Sequence, residues 1–389
     1  MVLKNLKIVL ENSVIERGYL SIFDGKIQHI GVGECPSNIV DAVDCEGLIA
    51  MPGFIDIHIH GCCDIDFMDA KEEDYKNIAN ALYKEGVTTF LATTLTSDKE
   101  SLARVCKTVK NAMKEVPSLG GIHFEGPYIN AKYKGAQNEA FIRNPDIKEF
   151  DELQELSGGN VRYITLAPEK EGALEFIEHV TKGKKVTVSA GHSDATFDQV
   201  KAAMAKGLTN TTHTHNAMSP HHHRNPGIVT AAFYFDGLYT EFICDTIHVC
   251  KNTLAASYKI IGSERFVMIT DSLAAKQEKQ DEPVRGFFKE EKEHLIFGLP
   301  YEVRDGAAYL LSGPLAGSVL EMDRGLRNMR DITGASLCDL AKISSRNAAK
   351  AVHLIENRGL IEEGKLADIV LLDNDLNVKA TYKMGVKVY

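Results

Sequence analysis

Apolar runs of strand length alternate with segments of helical period through the middle of this chain. The strand-like runs lie near residues 54–60, 87–95, 120–125, 161–167, 185–191, 208–213, 240–247 and 265–271. Between several of them apolar residues return at helical spacing, as in Glu72–Glu85, Lys99–Val116, Leu174–Lys182 and Phe197–Lys206. Strands joined by crossovers of helical length predict an α/β fold, a parallel (β/α)8 TIM barrel over residues 51–354. A doubly wound open sheet is the structural alternative. No Gly-x-Gly-x-x-Gly follows the first run, which argues against a dinucleotide-binding sheet.

The two ends read differently. Residues 1–50 hold short strand-like runs broken by turns: Lys4–Glu11, Gly18–Phe23, Lys26–Ile30 and Gly47–Ala50, with Asp24-Gly25 as a hairpin signal. Residues 355–389 repeat the style in Gly359–Glu363, Ala367–Leu372, Val378–Tyr382 and Val386–Tyr389. Strand-rich ends around a long middle predict a second, small β-sandwich domain built from both termini. The stretch near 276–306, opening Lys276-Gln277-Glu278-Lys279-Gln280-Asp281-Glu282, is too polar for barrel core and reads as an excursion carrying small hairpins.

Composition narrows the class. The apolar fraction of 44% and charged fraction of 25% are those of a globular chain. No run of about 18 apolar residues exists, so no membrane helix is expected. The first ten residues lack the zones of a signal peptide, and eight cysteines in a large unsignalled chain suit free thiols, so a cytoplasmic location is expected. A net charge of −10 argues against nucleic-acid binding while leaving room for an anionic small molecule at a local cluster of donors.

Candidate chemistry sits at the ends of the apolar runs. His58 and His60 close the run Phe54-Ile55-Asp56-Ile57-His58-Ile59-His60. Strand alternation sends both imidazoles to one face and Ile57 with Ile59 to the other. His123-Phe124-Glu125-Gly126-Pro127, Ser189-Ala190-Gly191-His192, Thr212-His213 and Ile269-Thr270-Asp271 repeat the theme. A single histidine at a strand end is as often a hydrogen-bonded core residue as a ligand. In a barrel, however, the C-terminal strand ends share one face. His58, His60, Glu125, His192, His213 and Asp271 then converge, a donor set suited to zinc, with iron or manganese as alternatives. Asp271 is placed to take a proton from water activated by such a cation and return it to a departing amine. Cys62-Cys63 beside this set reads as a pair of small packing residues.

These residues resemble the amidohydrolase superfamily and, within it, the N-acetylglucosamine-6-phosphate deacetylases. The resemblance runs from Met51-Pro52-Gly53-Phe54-Ile55-Asp56 to Ala367-Asp368-Ile369-Val370, nearly the whole chain. Its most specific pieces are His123–Tyr128, Ala190-Gly191-His192-Ser193, Thr212–Met218, Ile269-Thr270-Asp271 and Leu315-Ala316-Gly317-Ser318. It implies that Glu125, His192 and His213 hold the main cation and that Asp271 is the acid/base. Because His58 and His60 are kept, a second cation bridged by Glu125 is expected, giving one or two divalent metals per chain.

The resemblance also implies a sugar-phosphate substrate contacted by Asn216, Ala217 and His248, and a homodimer in which Arg224 reaches the neighbouring active site. Three positions depart from the family pattern: Thr246 stands for a glycine, Gln137 for a carbonyl-polarising histidine, and Ala348 for a proline. A glutamine amide can donate that hydrogen bond without carrying charge. The implied reaction is hydrolytic deacetylation of N-acetyl-D-glucosamine 6-phosphate. The rival readings are another amide hydrolase or deaminase of the superfamily, and a metal-free scaffold. Glu125 at the third strand end weighs against the first rival, whose members commonly use a carboxylated lysine, and the complete ligand set weighs against the second.

Overall fold

Each of the eight apolar runs of the middle folds as a strand: Phe54–Ile59, Val87–Thr94, Leu119–Glu125, Val161–Leu166, Thr187–Ala190, Leu208–Thr211, Tyr239–Ile243 and Phe266–Ile269. The computed structural model describes residues 1–389 except 38, 40, 41, 184, 185, 278–294, 297 and 298. The eight strands pair in parallel in sequence order. Bonds between the first and the eighth close the barrel. Asp271 N–H donates to His58 O at 2.8 Å and His60 N–H to Ser272 O at 2.8 Å. The buried Asp56 carboxylate accepts from Thr270 N–H at 3.3 Å and Thr270 Oγ1–H at 2.5 Å across the same seam.

Helices Asp74–Tyr83, Lys99–Ala112, Ile147–Leu156, Ala173–Thr181, Phe197–Met204, Ile228–Tyr234 and Lys251–Ile261 fill the crossovers. Several begin on a side-chain cap. Asp98 accepts from Ser101 N–H, Asp146 from Lys148 and Glu149 N–H, and Thr196 with Gln199 forms a capping box. Apolar residues on the outer faces of the strands, Phe54, Phe90, Phe124, Phe242 and Phe266 among them, pack against these helices. A separate cluster fills the barrel interior, with Ile55, Ile57, Leu91, Tyr163, Ile243, Val267 and Ile269 resting on Ala348, Ala349 and Val352.

Both termini enter one sheet. Its order runs Val386–Lys387, Val378–Lys383, Ile369–Leu372, Ile49–Pro52, Val2–Val9, Val14–Phe23 and Lys26–Val32, with Ala42–Asp44 paired beside Val2–Val9. Leu3, Leu6, Ile8, Leu20, Ile27, Ala50, Ile369 and Leu371 give it a core of its own. The Asp24-Gly25 hairpin forms, with φ of 49° and 71° at the two turn residues, the left-handed pair that a tight two-residue turn requires.

Three expectations change. Gly359–Glu363 is a turn segment and not a strand: Gly359 and Gly364 bend the backbone through φ of 88° and 91°. The Glu363 carboxylate caps the neighbouring strand by accepting from Ile30 N–H at 3.0 Å. Lys276 is not solvated; it is fully buried and paired with Glu85 at 2.7 Å. The first strand also breaks its alternation, because Ile57 joins the interior cluster while Ile59 joins the outer one. Four residues, Asp56 to Ile59, face three, Phe90 to Ala92, on the second strand, so an extra residue bulges there. Much of the 276–306 excursion lies outside the described residues. Its described part is an antiparallel sheet of Leu295–Ile296, Leu299–Arg304, Ala307–Leu310 and Leu315–Ser318. Tyr301, Ala308 and Leu310 pack on Leu95 and Ala136 beside the barrel mouth.

Candidate metal centre and active site

The strands leave the barrel abruptly at its C-terminal end. His192, His213 and Asp271 take φ of 48°, 29° and 49°, left-handed backbone that non-glycine residues seldom adopt. Such turns redirect the side chains over the barrel mouth instead of along the strands. Strained residues of this kind concentrate at functional sites.

The side chains meet at the Glu125 carboxylate. Glu125 Oε1 lies 3.0 Å from His192 Nε2, 2.9 Å from His213 Nε2 and 3.3 Å from His58 Nε2. Its Oε2 lies 3.3 Å from His60 Nε2 and accepts from Gln137 Nε2–H at 2.6 Å. Across the cleft, Asp271 Oδ1 stands 3.4 Å from His58 Nε2 and 3.2 Å from His60 Nε2. Two subsets have one ligand atom each within 4.8 Å of one another: His58, His60 and Asp271, and His58, Glu125 and His213.

The charges of this group are mutually dependent. Burial opposes charge on His58, yet the Asp271 and Glu125 carboxylates outweigh it and hold the imidazole well above its ordinary value. His60 is likewise pushed up to about 9, against burial, by bonds to the same two carboxylates. Burial would raise Glu125, but His58 and His192 hold it well below the usual range; burial likewise opposes His58 and His60 at Asp271, whose carboxyl they lower. Two buried carboxylates thus demand positive charge at one point. A divalent cation supplies it with every imidazole neutral.

The donor geometry fits that reading. His192 and His213 turn their Nε2 atoms toward each other at 3.0 Å, and the buried His58 Nε2 has no hydrogen-bond partner among the described residues. The remote nitrogen of His192 lies 2.8 Å from Tyr133 O, which fixes the hydrogen on Nδ1 and leaves Nε2 as a ligand.

A cleft of about 160 Å³, open to solvent on one side, rises above this floor. Gln137, Asn216, Ala217 and His248 line it, as do Leu95, Gly135, Ala136, Leu315, Ala316 and Gly317. Gln137 is locked at both ends, since its Oε1 accepts from Thr96 N–H at 2.7 Å. His248 Nδ1 is bound to Asp245 Oδ2 at 2.6 Å. Burial works against its charge and Asp245 overcomes it, so the ring sits above its ordinary value. Thr246 adopts φ of 69°, a conformation a glycine there takes without strain.

Other residues stand apart. Arg224 is exposed and faces a different cleft, shared with Asp194, Phe197 and His222, so it does not reach the site of its own chain. His123, two residues from Glu125, is turned away, with Nδ1 3.1 Å from Ile57 O and Nε2 2.8 Å from Thr165 Oγ1. Cys62 is buried and Cys63 partly so, their sulfurs 3.6 Å apart. One participant escaped sequence reasoning. Glu241, on the seventh strand, is fully buried with Oε2 3.2 Å from His58 Nδ1. The signal was available as an acidic residue inside the apolar run Tyr239-Thr240-Glu241-Phe242-Ile243.

Comparison with known proteins agrees with this geometry. The model of the amidohydrolase family matches residues 49–388. The N-acetylglucosamine-6-phosphate deacetylase of Bacillus subtilis (strain 168) is 36% identical over 99% of this chain and 96% of its own. The crystal structure of the N-acetylglucosamine-6-phosphate deacetylase of Thermotoga maritima superposes with a TM-score of 0.89 at 35% identity, covering 100% of this chain and 99% of that one. A mutant of the Mycobacterium smegmatis enzyme, in complex with N-acetyl-D-glucosamine-6-phosphate, superposes with a TM-score of 0.91 at 28% identity, covering 100% and 99%. With a cleft of this construction and likeness along its whole length, the chain belongs to the amidohydrolase family, in the branch of the N-acetylglucosamine-6-phosphate deacetylases.

Proposed function

We propose that this protein hydrolyses the acetamide of N-acetyl-D-glucosamine 6-phosphate, giving D-glucosamine 6-phosphate and acetate in amino-sugar catabolism. The observation that carries the reading is the Glu125 carboxylate, 2.9–3.0 Å from His213 and His192, facing Asp271 across one cleft. Glu125, His192 and His213 would hold the main divalent cation, and His58, His60 and Asp271 would hold a second. The bound cation, zinc with iron or manganese as alternatives, supplies Lewis acidity toward the acetyl carbonyl and lowers the pKa of water.

The chain's own groups do the rest. Asp271 accepts a proton as water adds to the carbonyl carbon. Gln137 has two amide hydrogens, of which one is engaged by Glu125, so the other is free to donate to the developing oxyanion, with His248 as a second donor. When the carbon–nitrogen bond breaks, Asp271 returns its proton to the amine and acetate leaves. The phosphate, with about −1.5 to −2 charges, lies against Asn216 and Ala217. Arg224 completes its pocket from the second subunit of a cytoplasmic homodimer.

Acetate release from the phosphorylated and the unphosphorylated amino sugar, measured beside the metal content of the purified protein, tests this reading. Hydrolysis confined to the phosphorylated sugar and dependent on bound metal is expected. Inertness toward it, with turnover of a cyclic amide or a nucleobase instead, refutes the assignment.

A further inference from the structure

We infer that Glu241 is a positioning residue for the metal centre, fixing the orientation and tautomer of His58 so that the first-strand histidine pair acts as a pair of ligands. The inference rests on the metal-dependent reading of the cleft. Glu241 points into the barrel, in register with the interior residue Ile243 and beneath the ligand layer. Carboxylates are rarely buried among apolar residues without a partner, because desolvating one costs several kcal/mol. Two partners are on hand. Oε2 lies 3.2 Å from His58 Nδ1 and 3.2 Å from His213 N–H. The Glu241 carbonyl also accepts from Thr214 N–H at 2.8 Å. One residue therefore grips a ligand from the first strand and the turn that carries a ligand from the sixth.

The chemistry follows from what a carboxylate can do. Oε2 only accepts, so the hydrogen of His58 resides on Nδ1 and Nε2 is the nitrogen presented to Glu125 and Asp271. Ligand histidines whose remote N–H is held by a carboxylate lose about 10–100-fold in metal affinity when that partner is removed. His192 is oriented by a backbone carbonyl instead, and the remote nitrogens of His60 and His213 have no hydrogen-bond partner among the described residues. Among the four, His58 is thus the histidine whose ligand geometry depends on a replaceable side chain.

Two substitutions separate positioning from bulk packing. Glu241→Gln keeps an acceptor for Nδ1 and places its NH2 at Oε1, which has no hydrogen-bond partner among the described residues. Glu241→Met keeps the volume and removes the acceptor. The full-length protein is stripped of metal, then titrated with zinc against a chromophoric chelator and with cobalt by visible absorption. We expect Glu241→Met to weaken the cation held by His58 about 10–100-fold, with the Glu241→Gln variant close to the parent. Equal affinities for every bound cation in parent and Glu241→Met overturn the inference and leave the functional reading standing. A parent protein that takes up no cation overturns both. Nitrogen-15 histidine spectra of the zinc-loaded parent need no variant: hydrogen on His58 Nδ1 supports the inference, and hydrogen on Nε2 overturns it.

Discussion

Asp271 is held in place before any substrate arrives. Its N–H donates to His58 O, its carbonyl accepts from Ser318 N–H at 2.9 Å, and its carboxylate faces His58 and His60. Asp271→Asn preserves these contacts and the oxygen nearest the histidines but cannot take up a proton. Turnover should fall about 10²–10⁴-fold while the cation proposed to sit on Glu125, His192 and His213 is retained, as measured by elemental analysis beside a steady-state assay. Gln137→Leu removes the amide proposed to donate to the carbonyl oxygen, and kcat should fall about 10²–10³-fold while KM moves little. At this scale the residues that converge on Glu125 were legible because each ends an apolar run, where topology dictates which end of the barrel it occupies. Residue type alone misleads, since His123 occupies the same sort of position and spends both nitrogens on Ile57 and Thr165. Glu241 carried no motif, because its role depends on a neighbour 183 positions away.

Among elements, the seam between the first and eighth strands carries a fully buried carboxyl group, Asp56. Burial pushes the Asp56 carboxyl up, against the pull of Lys276 and the Thr270 bonds. The folded state therefore binds this proton more tightly than the unfolded chain. The stability it contributes is complete below the unfolded carboxylate range, about pH 4, and is lost as pH rises through the raised value. Asp56→Asn keeps an acceptor for Thr270 and abolishes the titration. Urea denaturation over a series of pH values should show the difference between variant and parent moving in the variant's favour as pH climbs. Seven of the eight barrel strands were legible to within two residues because their apolar runs are bounded by turns, whereas the seventh stops at Ile243, four short of the expected end. The bulge between Asp56 and Ile59 was not, for it arises from pairing with the second strand. The turn at Gly359–Glu363 was masked by an apolar pair, Leu360 and Ile361, that serves packing without joining a ladder.

For the molecule as a whole, the terminal sheet is fastened to the barrel by polar groups taken out of water. Lys383 donates to Thr88 O at 2.8 Å and pairs with Asp368 at 2.8 Å, and Thr381 Oγ1–H donates to Tyr83 O at 2.7 Å. Lys383→Met leaves the buried Asp368 carboxylate with the more distant Arg358, at 3.7 Å, as its cationic partner. It should destabilise the fold by about 3–5 kcal/mol in chemical denaturation while zinc content stays constant. Chelation acts from the other side, at the ends of five different strands. Free zinc at a thousandfold excess over its Kd stabilises by about 4 kcal/mol, so stripping it should lower Tm by a margin that readdition restores. The joint sheet was foreseeable from two strand-rich ends. The lysine that locks it was not, because nothing local distinguishes Lys383 from the exposed lysines of other strands.

The bond from Ser318 to Asp271 ties the last strand of the excursion to the acid/base, 47 positions apart in sequence. Ser318 Oγ–H adds a second tie by donating to Thr270 O. The hairpin module is therefore a buttress for the chemistry, not ornament on the rim. A protein engineer who trims it to make a leaner enzyme would be cutting a guy-rope, and the damage would surface as lost proton transfer in a barrel that still folds.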